Sequence, residues 1–232
     1  MKIVWIFSNA VAVVTTLVCM SYLYYACRPI PRAKLPLSSI LVIGVTVAIS
    51  GLQFVYPELL AALRRDPEAI RGGELWRLVT ALFVQPNGIS QCVANGFLIL
   101  AFMPAAERLY GRSVLVAYFA AGLAGTTVNY FWDSGSGGSS PAIFGLMGSL
   151  LIYIVRNRKA LLLPFVFIAG TGLLCSVLML VSRDGHGVGL VVGALLASIL
   201  PVADVTFRSK ETDTFAEPPT DLDGPAPHRA GA

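Results

Sequence analysis

Charged residues are scarce in this chain of 232 residues. Asp, Glu, Lys and Arg make up 13% of it, hydrophobic residues make up 56%, and the mean hydropathy is +0.73. A soluble domain carries about 25% charged residues, because its surface must face water. The composition therefore excludes an ordinary soluble protein and indicates a protein of the lipid bilayer.

Seven long stretches contain no Asp, Glu, Lys or Arg at all. A spanning helix needs about 20 mostly apolar residues, because the hydrocarbon core of a bilayer is roughly 30 Å thick. The sequence therefore predicts an all-α fold, a polytopic membrane helix bundle. The fifth stretch is short, so we expect its outer end to stop below the membrane surface. The stretches are residues 4–26, 35–56, 88–106, 113–132, 141–155, 160–181 and 187–202.

The first stretch is interpreted as a retained membrane anchor. A secretory signal peptide is the alternative, but the stretch is long and shows no small-residue cleavage site before Cys27. No Arg-rich, Ser-rich transit segment precedes Val4 either. We therefore expect a bacterial plasma membrane as the location.

Cysteine is also scarce, with four residues that all lie in or at the end of the apolar stretches. Their spacing gives neither a disulfide framework nor a set of metal ligands. We expect them to pack as small apolar side chains, and we expect no metal. They are Cys19, Cys27, Cys92 and Cys175.

The basic residues of the short loops predict the orientation, because positively charged loops stay in the cytoplasm. They fall after the first, third, fifth and seventh stretches, which are alternate loops. The amino terminus is then outside and the carboxyl tail inside, with loops 57–87, 133–140 and 182–186 on the outer side. The basic residues are Arg28, Arg32, Lys34, Arg108, Arg112, Arg156, Arg158, Lys159, Arg208 and Lys210.

Histidine is scarcer still, with one residue in the tail and one, His186, at the start of the seventh stretch. His186 is thus the one side chain of the membrane region that titrates near neutral pH, although a loop histidine facing water is the simpler interpretation.

Ser140 stands before Pro141 at a predicted helix start. It suits an N-cap, or a nucleophile beside free backbone N–H groups.

Other polar residues occur near the outer ends of the stretches. Gln91 and Asn95 are four residues apart and share one helix face, where an interhelical hydrogen bond is the plain alternative to a functional role. Gly189 and Gly193 have a spacing that lets another helix approach closely. We expect them to press the helix of His186 against the helix of Ser140.

Four segments, in this order, carry a resemblance to a known family. Residues 74–77 read Glu-Leu-Trp-Arg, and residues 106–111 read Ala-Glu-Arg-Leu-Tyr-Gly. Residues 138–145 read Gly-Ser-Ser-Pro-Ala-Ile-Phe-Gly, and residues 186–193 read His-Gly-Val-Gly-Leu-Val-Val-Gly. Together they resemble the motifs of the rhomboid intramembrane serine proteases, over about residues 35–202.

The resemblance implies a role for each matching residue. Ser140 is the nucleophile and His186 the general base, with Asn95 and Gln91 as oxyanion donors. Phe144 is expected to stack on the imidazole, unless it is simply part of the core. No Asp or Glu occurs within the stretches, so we expect a Ser-His dyad and no cofactor. The supporting residues that match are Gly138, Gly189, Gly193, Trp76 and Arg77.

The sequence departs from the family pattern at three places. Gln91 stands where a histidine is usual, Pro141 replaces the usual glycine, and the first span lies outside the common six-helix core. The predicted domains are an anchor and cytoplasmic loop at 1–34, a rhomboid-like membrane domain at 35–205 and a tail at 206–232. The tail is rich in Pro, Gly and acidic residues, which predicts disorder.

The expected function is a serine endopeptidase that cuts transmembrane protein substrates near the outer membrane face. The expected partners are those substrates and the lipid bilayer, with no nucleic acid, and the oligomeric state stays open. One alternative is an inactive rhomboid-like protein that binds membrane clients, which Gln91 favours. A transporter is the other alternative, although the chain shows neither internal repeats nor ionisable residues in mid-membrane.

Overall fold

Seven long helices form the body of the protein. The computed structural model describes residues 2–28, 36–132, 137–202 and 206–207. Each of the seven apolar stretches forms a helix, as the sequence predicts. The long helices are α1 (Lys2–Ala26), α2 (Leu37–Val55), α6 (Ile89–Tyr110), α7 (Val114–Phe131), α8 (Ser140–Arg156), α9 (Leu163–Val181) and α10 (Gly185–Ile199).

Three short helices fold the large loop between α2 and α6, and a one-turn 3₁₀ helix, Gly111–Ser113, joins α6 to α7. The short helices are α3 (Pro57–Leu63), α4 (Pro67–Arg71) and α5 (Arg77–Thr80). Within the described residues, the strands are the two-residue segments β1 (Cys27–Arg28) and β2 (Thr206–Phe207), which pair antiparallel. The fold is therefore all-α apart from this one small pair.

The outer surface of the bundle is apolar, as a lipid environment requires. Large apolar side chains lie exposed on most of the long helices, for example Phe97 at 62%, Leu174 at 64% and Leu195 at 64%. Four helical stretches of the described chain are long and apolar enough to cross a membrane, namely Ile3–Ala26, Leu37–Val55, Ile89–Phe131 and Leu163–Val181. The third of them contains both α6 and α7.

The remaining long helices, α8 and α10, are apolar but shorter, with 17 and 15 residues. At about 1.5 Å per residue they fall short of a hydrocarbon core roughly 30 Å thick. The sequence analysis expected this only of the fifth stretch, which is α8. Ser140 and His186 both lie in the first turn of these two short helices.

Helix α8 is the centre of the core. It packs against α10, α7, α9 and α6, and nearly all of its residues from Pro141 to Ile154 are buried. Glu107, at the far end of α6, accepts hydrogen bonds from the backbone N–H groups of Ser38 and Ser39 at 2.9 and 2.8 Å. A carboxylate at this place satisfies free donors at the start of α2 and complements the helix dipole.

The basic residues that follow α6 and α8 lie at the end of the bundle opposite Ser140. Arg156 is the last residue of α8 and donates to the carbonyl of Ala197 near the end of α10 at 2.8 Å. Arg108 lies over the ring of Tyr24, near the end of α1, at 5.0 Å. Helices α8 and α10 therefore run in the same direction, away from Ser140 and His186.

Two sequence predictions fall partly outside the described residues. Residues 29–34 of the predicted cytoplasmic loop lie there, as does the predicted tail apart from Thr206 and Phe207, and these segments include Arg32, Lys34, Arg208 and Lys210. Thr206 and Phe207, the first two residues of the predicted tail, form the strand that pairs with Cys27 and Arg28.

Candidate active site

Ser140 and His186 meet at the ends of α8 and α10. The Oγ atom of Ser140 lies 2.7 Å from Nε2 of His186, although 46 residues separate them in the chain. The side chain of His186 is 20% exposed, so the pair is sheltered but not sealed. A neutral imidazole at this distance accepts the hydroxyl hydrogen, which is the arrangement that activates a serine.

The chain before Ser140 is shaped by glycine. Gly138 has a φ of +130°, and a Cβ built there would collide with the side-chain amide of Gln91. Only glycine combines that backbone conformation with that space. The N–H of Gly138 donates to the carbonyl of Ala81 at 2.8 Å, which joins this segment to the large loop. Pro141 then occupies the first turn of α8, where its missing N–H costs nothing.

Close backbone contact brings α8 and α10 together. A Cβ on Gly189 would collide with the carbonyl oxygen of Pro141, and a Cβ on Gly193 with that of Gly145. Helices α8 and α10 therefore approach closely at the Gly-x-x-x-Gly spacing, which is what the sequence analysis expects of these residues. This contact sets how far apart Ser140 and His186 stand.

Asp184 lies beside the other ring nitrogen of His186. Its Oδ1 atom is 2.7 Å from Nδ1 of His186 and also accepts from the His186 backbone N–H at 3.1 Å. The oxygen stands off the direction of the ring N–H, so this is a close electrostatic contact rather than an aligned hydrogen bond. A carboxylate there favours the tautomer with hydrogen on Nδ1, which leaves Nε2 free for Ser140.

The carboxylate of Asp184 is buried, with 7% of the side chain exposed. Burial alone would raise the pKa of Asp184, but the His186 ring and the amide of Asn9 stabilise the charged form and hold the pKa below its usual range. Asn9 belongs to α1, and its Nδ2 donates to Oδ2 of Asp184 at 2.8 Å. Asp184 therefore stays charged at neutral pH.

Phe144 packs against the imidazole, as the resemblance implies. The ring centroids of Phe144 and His186 are 4.6 Å apart, and the ring planes are inclined by 31°. Phe144 is also 4% exposed and part of the hydrophobic core. The contact restricts how far the imidazole can tilt.

A chain of side-chain amides lies next to the serine segment. Asn95 is buried, and its Nδ2 donates to Oε1 of Gln85 at 2.8 Å. The Nε2 of Gln85 donates in turn to Oγ of Ser139 at 3.4 Å, and Gln53 of α2 binds the Gln85 backbone at both its N–H and its carbonyl. Since an amide nitrogen carries two hydrogens, Asn95 retains one for a further acceptor.

Gln91 is bound at both ends of its amide. Its Oε1 accepts from the N–H of Asn87 at 2.9 Å, and its Nε2 donates to the carbonyl of Gly137 at 3.1 Å. Gln91 therefore fixes the glycine segment before Ser140. The oxyanion role that the resemblance implies for Gln91 stays a prediction.

Trp76 and Arg77 lie in the large loop between α2 and α6. Arg77 is paired with Glu74 at 2.6 Å and donates to the carbonyl of Ala61 at 2.7 Å, which ties the short loop helices together. Trp76 is 55% exposed. The supporting role of Arg77 is thus to hold the loop that carries Gln85.

Sequence reasoning did not find Asp184, Asn9 or Gln85. The search for a carboxylate covered only the apolar stretches, and Asp184 lies in the loop just before α10. An Asp at the start of a predicted helix is a recognisable N-cap signal, so the sequence itself could have indicated Asp184. Asn9 lies 175 residues from its partner, so nothing local to either residue pointed to the contact.

Comparisons with known proteins agree with this architecture. Residues 72–202 match the family model described as the Rhomboid domain. This match covers more than half of the chain, so the chain belongs to the rhomboid family, and it is an integral membrane protein. The matched region begins in the large loop and ends just after α10, and it leaves out α1 and α2.

Several curated proteins are similar to this chain. Rhomboid protease GluP of Bacillus subtilis (strain 168) is 31% identical over 153 residues, which are 61% of this chain and 29% of that protein. RHOMBOID-like protein 6, mitochondrial, of Arabidopsis thaliana is 31% identical over 142 residues, 57% of this chain and 46% of that protein. Putative rhomboid protease YdcA of Bacillus subtilis (strain 168) is 31% identical over 121 residues, which are 48% of this chain and 60% of that protein. The matches thus cover between 29% and 60% of these relatives.

Proposed function

We propose that this protein is an intramembrane serine endopeptidase that cleaves transmembrane protein substrates, with Ser140 as nucleophile and His186 as general base. The observation that carries the proposal is the distance of 2.7 Å between Ser140 Oγ and His186 Nε2. Relatives named as rhomboid proteases support the reaction class.

In the proposed reaction, Nε2 of His186 takes the hydroxyl proton as Oγ of Ser140 attacks the scissile carbonyl carbon. The same proton passes to the leaving amine when the peptide C–N bond breaks, which leaves an ester on Ser140. Water then hydrolyses the ester, as His186 takes a proton from the attacking water and returns it to Oγ of Ser140. Asp184 is proposed to orient the imidazole and to stabilise its charged form, which extends the Ser-His dyad of the sequence prediction.

The oxyanion is proposed to be held by the backbone N–H of Ser140 and the side-chain amide of Asn95. The first N–H groups of a helix have no partner within that helix, so the start of α8 offers donors. The buried position of Asn95 and its spare amide hydrogen support its part. Gln91, which binds Gly137, is proposed as a weaker third donor.

The proposed site faces the outer side of the membrane. Arg108, Arg112, Arg156 and Arg158 stand at the opposite end of the bundle, which the distribution of positive charge assigns to the cytoplasm. The amino terminus would then be outside. Two of the relatives are Bacillus subtilis proteins, which fits a bacterial plasma membrane.

A fluorophosphonate probe tests the proposal, because it reacts with activated serines. We expect the detergent-solubilised protein to be labelled on Ser140, as mapped by mass spectrometry, and labelling to be lost in Ser140→Ala and His186→Ala. Ser149→Ala is the matched control, since Ser149 lies on the same helix and its hydroxyl donates to the carbonyl of Leu146 within that helix. A folded wild type that is not labelled would contradict the proposal and favour an inactive protein that binds membrane clients.

A further inference from the structure

The first helix reaches the carboxylate of Asp184. Asn9 of α1 donates from Nδ2 to Oδ2 of Asp184 at 2.8 Å, while the other oxygen of the same carboxylate contacts His186 at 2.7 Å. The two partners therefore bind the two oxygens of Asp184 separately. Helix α1 lies outside the region that matches the Rhomboid domain.

The amide of Asn9 is held in one orientation. Its second Nδ2 hydrogen is directed to the carbonyl of Trp5, also at 2.8 Å. Reversing the amide would place its oxygen against both a carboxylate and a carbonyl, which are acceptors only. Asn9 is therefore fixed as a donor to Asp184, and hydrogen bonds to a charged group are the stronger ones.

Helix α1 is docked by contacts that do not depend on Asn9. Tyr22 stacks on Phe165 of α9 with ring centroids 3.8 Å apart, and its hydroxyl accepts from the N–H of Leu162 at 2.8 Å. Ala12 and Cys19 of α1 are fully buried. Removing the Asn9 amide should therefore leave the helix in place.

We propose that Asn9 is a positioning residue that holds Asp184 against His186, so that the first helix completes the active site. Asn9 does not touch the reacting serine and acts only through Asp184. The inference rests on the proposed serine protease function. It assigns to α1 a part in catalysis beyond anchoring the chain in the membrane.

The test measures how the full-length protein reacts with a fluorophosphonate probe, separating the maximal labelling rate from the probe's dissociation constant. We expect Asn9→Ala to lower the maximal rate about tenfold, the size that loss of one hydrogen bond to a charged group produces, with the dissociation constant unchanged. Asn9→Asp keeps the shape but sets two carboxylates against each other, so its rate should fall further. Ser21→Ala is the control, because Ser21 lies on α1 and bonds only to the carbonyl of Leu17.

A double-mutant cycle separates positioning from general damage. In an Asp184→Ala background, Asn9→Ala should cause no further loss of rate, because the contact that it breaks is already gone. Wild-type rates in Asn9→Ala, or an equal loss in both backgrounds, would overturn the proposal. If the wild type is not labelled at all, the proposed function fails. In that case the free energies of unfolding of the same four proteins test the contact between Asn9 and Asp184. Additive effects of the two substitutions on the free energy of unfolding would overturn the proposal.

Discussion

Oδ1 of Asp184 lies 2.7 Å from Nδ1 of His186, while Nε2 of the same ring lies 2.7 Å from the hydroxyl of Ser140. The imidazole is thus placed between a buried carboxylate and the proposed nucleophile. In serine hydrolases in general, such a carboxylate holds the ring in the tautomer that accepts the hydroxyl proton.

Asp184→Asn should slow fluorophosphonate labelling by up to about 10,000-fold, the loss caused by the same change at the carboxylate of a serine-protease triad. It removes the charge that stabilises the protonated ring, and it can reverse the tautomer. The measurement is the labelling rate at neutral pH, with thermal unfolding to show that the variant is folded. Asp66→Asn is the control, because Asp66 also caps a helix but lies in the large loop. Labelling of Asp184→Asn at the wild-type rate would mean that Ser140 and His186 act alone.

Asp184 should also make the stability depend on pH. Its pKa is lowered in the folded protein, so its contribution is fully present above the ordinary aspartate pKa of about 3.9. That contribution is lost as pH falls through the lower pKa of the folded state. The difference in thermal unfolding midpoint between wild type and Asp184→Asn should therefore shrink below about pH 4. A difference that stays the same from neutral to strongly acidic pH would contradict this.

Asn95→Ala should lower the labelling rate about 100-fold to 1000-fold, the usual effect of removing one oxyanion donor. Asn157→Ala is the matched control, because Asn157 lies at the far end of α8 and bonds to the carbonyl of Tyr153. An Asn95→Ala variant that reacts like wild type would remove Asn95 from the site.

Gln85→Ala should lower the rate less, by about tenfold, because it removes the acceptor that orients the Asn95 amide, together with a long hydrogen bond to Ser139 Oγ. The combined variant Asn95→Ala/Gln85→Ala should be no slower than Asn95→Ala alone, since Gln85 is expected to act through Asn95. Labelling rates of the four proteins check this. Independent losses that multiply would show that Gln85 has some other role.

Gly193→Ala should destabilise the fold by about 1–3 kcal/mol, as overpacking does, because the added methyl group meets the carbonyl of Gly145. Labelling should fall as well, since this contact sets the distance between Ser140 and His186. Gly170→Ala is the control, as nothing lies near a Cβ built on Gly170. Thermal unfolding measures both variants, and equal midpoints would refute the packing argument.

The sequence predicted much of this fold because lipid imposes a simple rule. Long runs without charge can only be helices in a bilayer, so all seven long helices were predicted. Helices α3 to α5 were not, because they lie in a polar loop where such a rule does not apply. The pairing of β1 with β2 was also missed, since strands of two residues leave no periodic pattern.

The residues of the site that belong to recognisable sequence segments could be predicted. Ser140 and His186 lie at the starts of two helices whose glycine spacing is visible in the sequence. Asn9 was not predictable, because its partner Asp184 lies 175 residues away in the chain. Gln85 lies only ten residues from Asn95, but it belongs to an irregular loop segment whose path no periodic pattern defines. The amide of Gln91 contacts Asn87 and Gly137, and the oxyanion role that the resemblance implies for it stays a prediction.

The most direct test of the central claim is cleavage of a transmembrane substrate in liposomes. The purified protein would be reconstituted with a panel of single-span helices that carry small residues near one membrane face, and the products would be mapped by mass spectrometry. We predict cleavage within or beside the span by wild type, and none by Ser140→Ala or His186→Ala. Equal cleavage by Ser140→Ala, or no cleavage of any helix by a wild type that also resists the fluorophosphonate, would contradict the account.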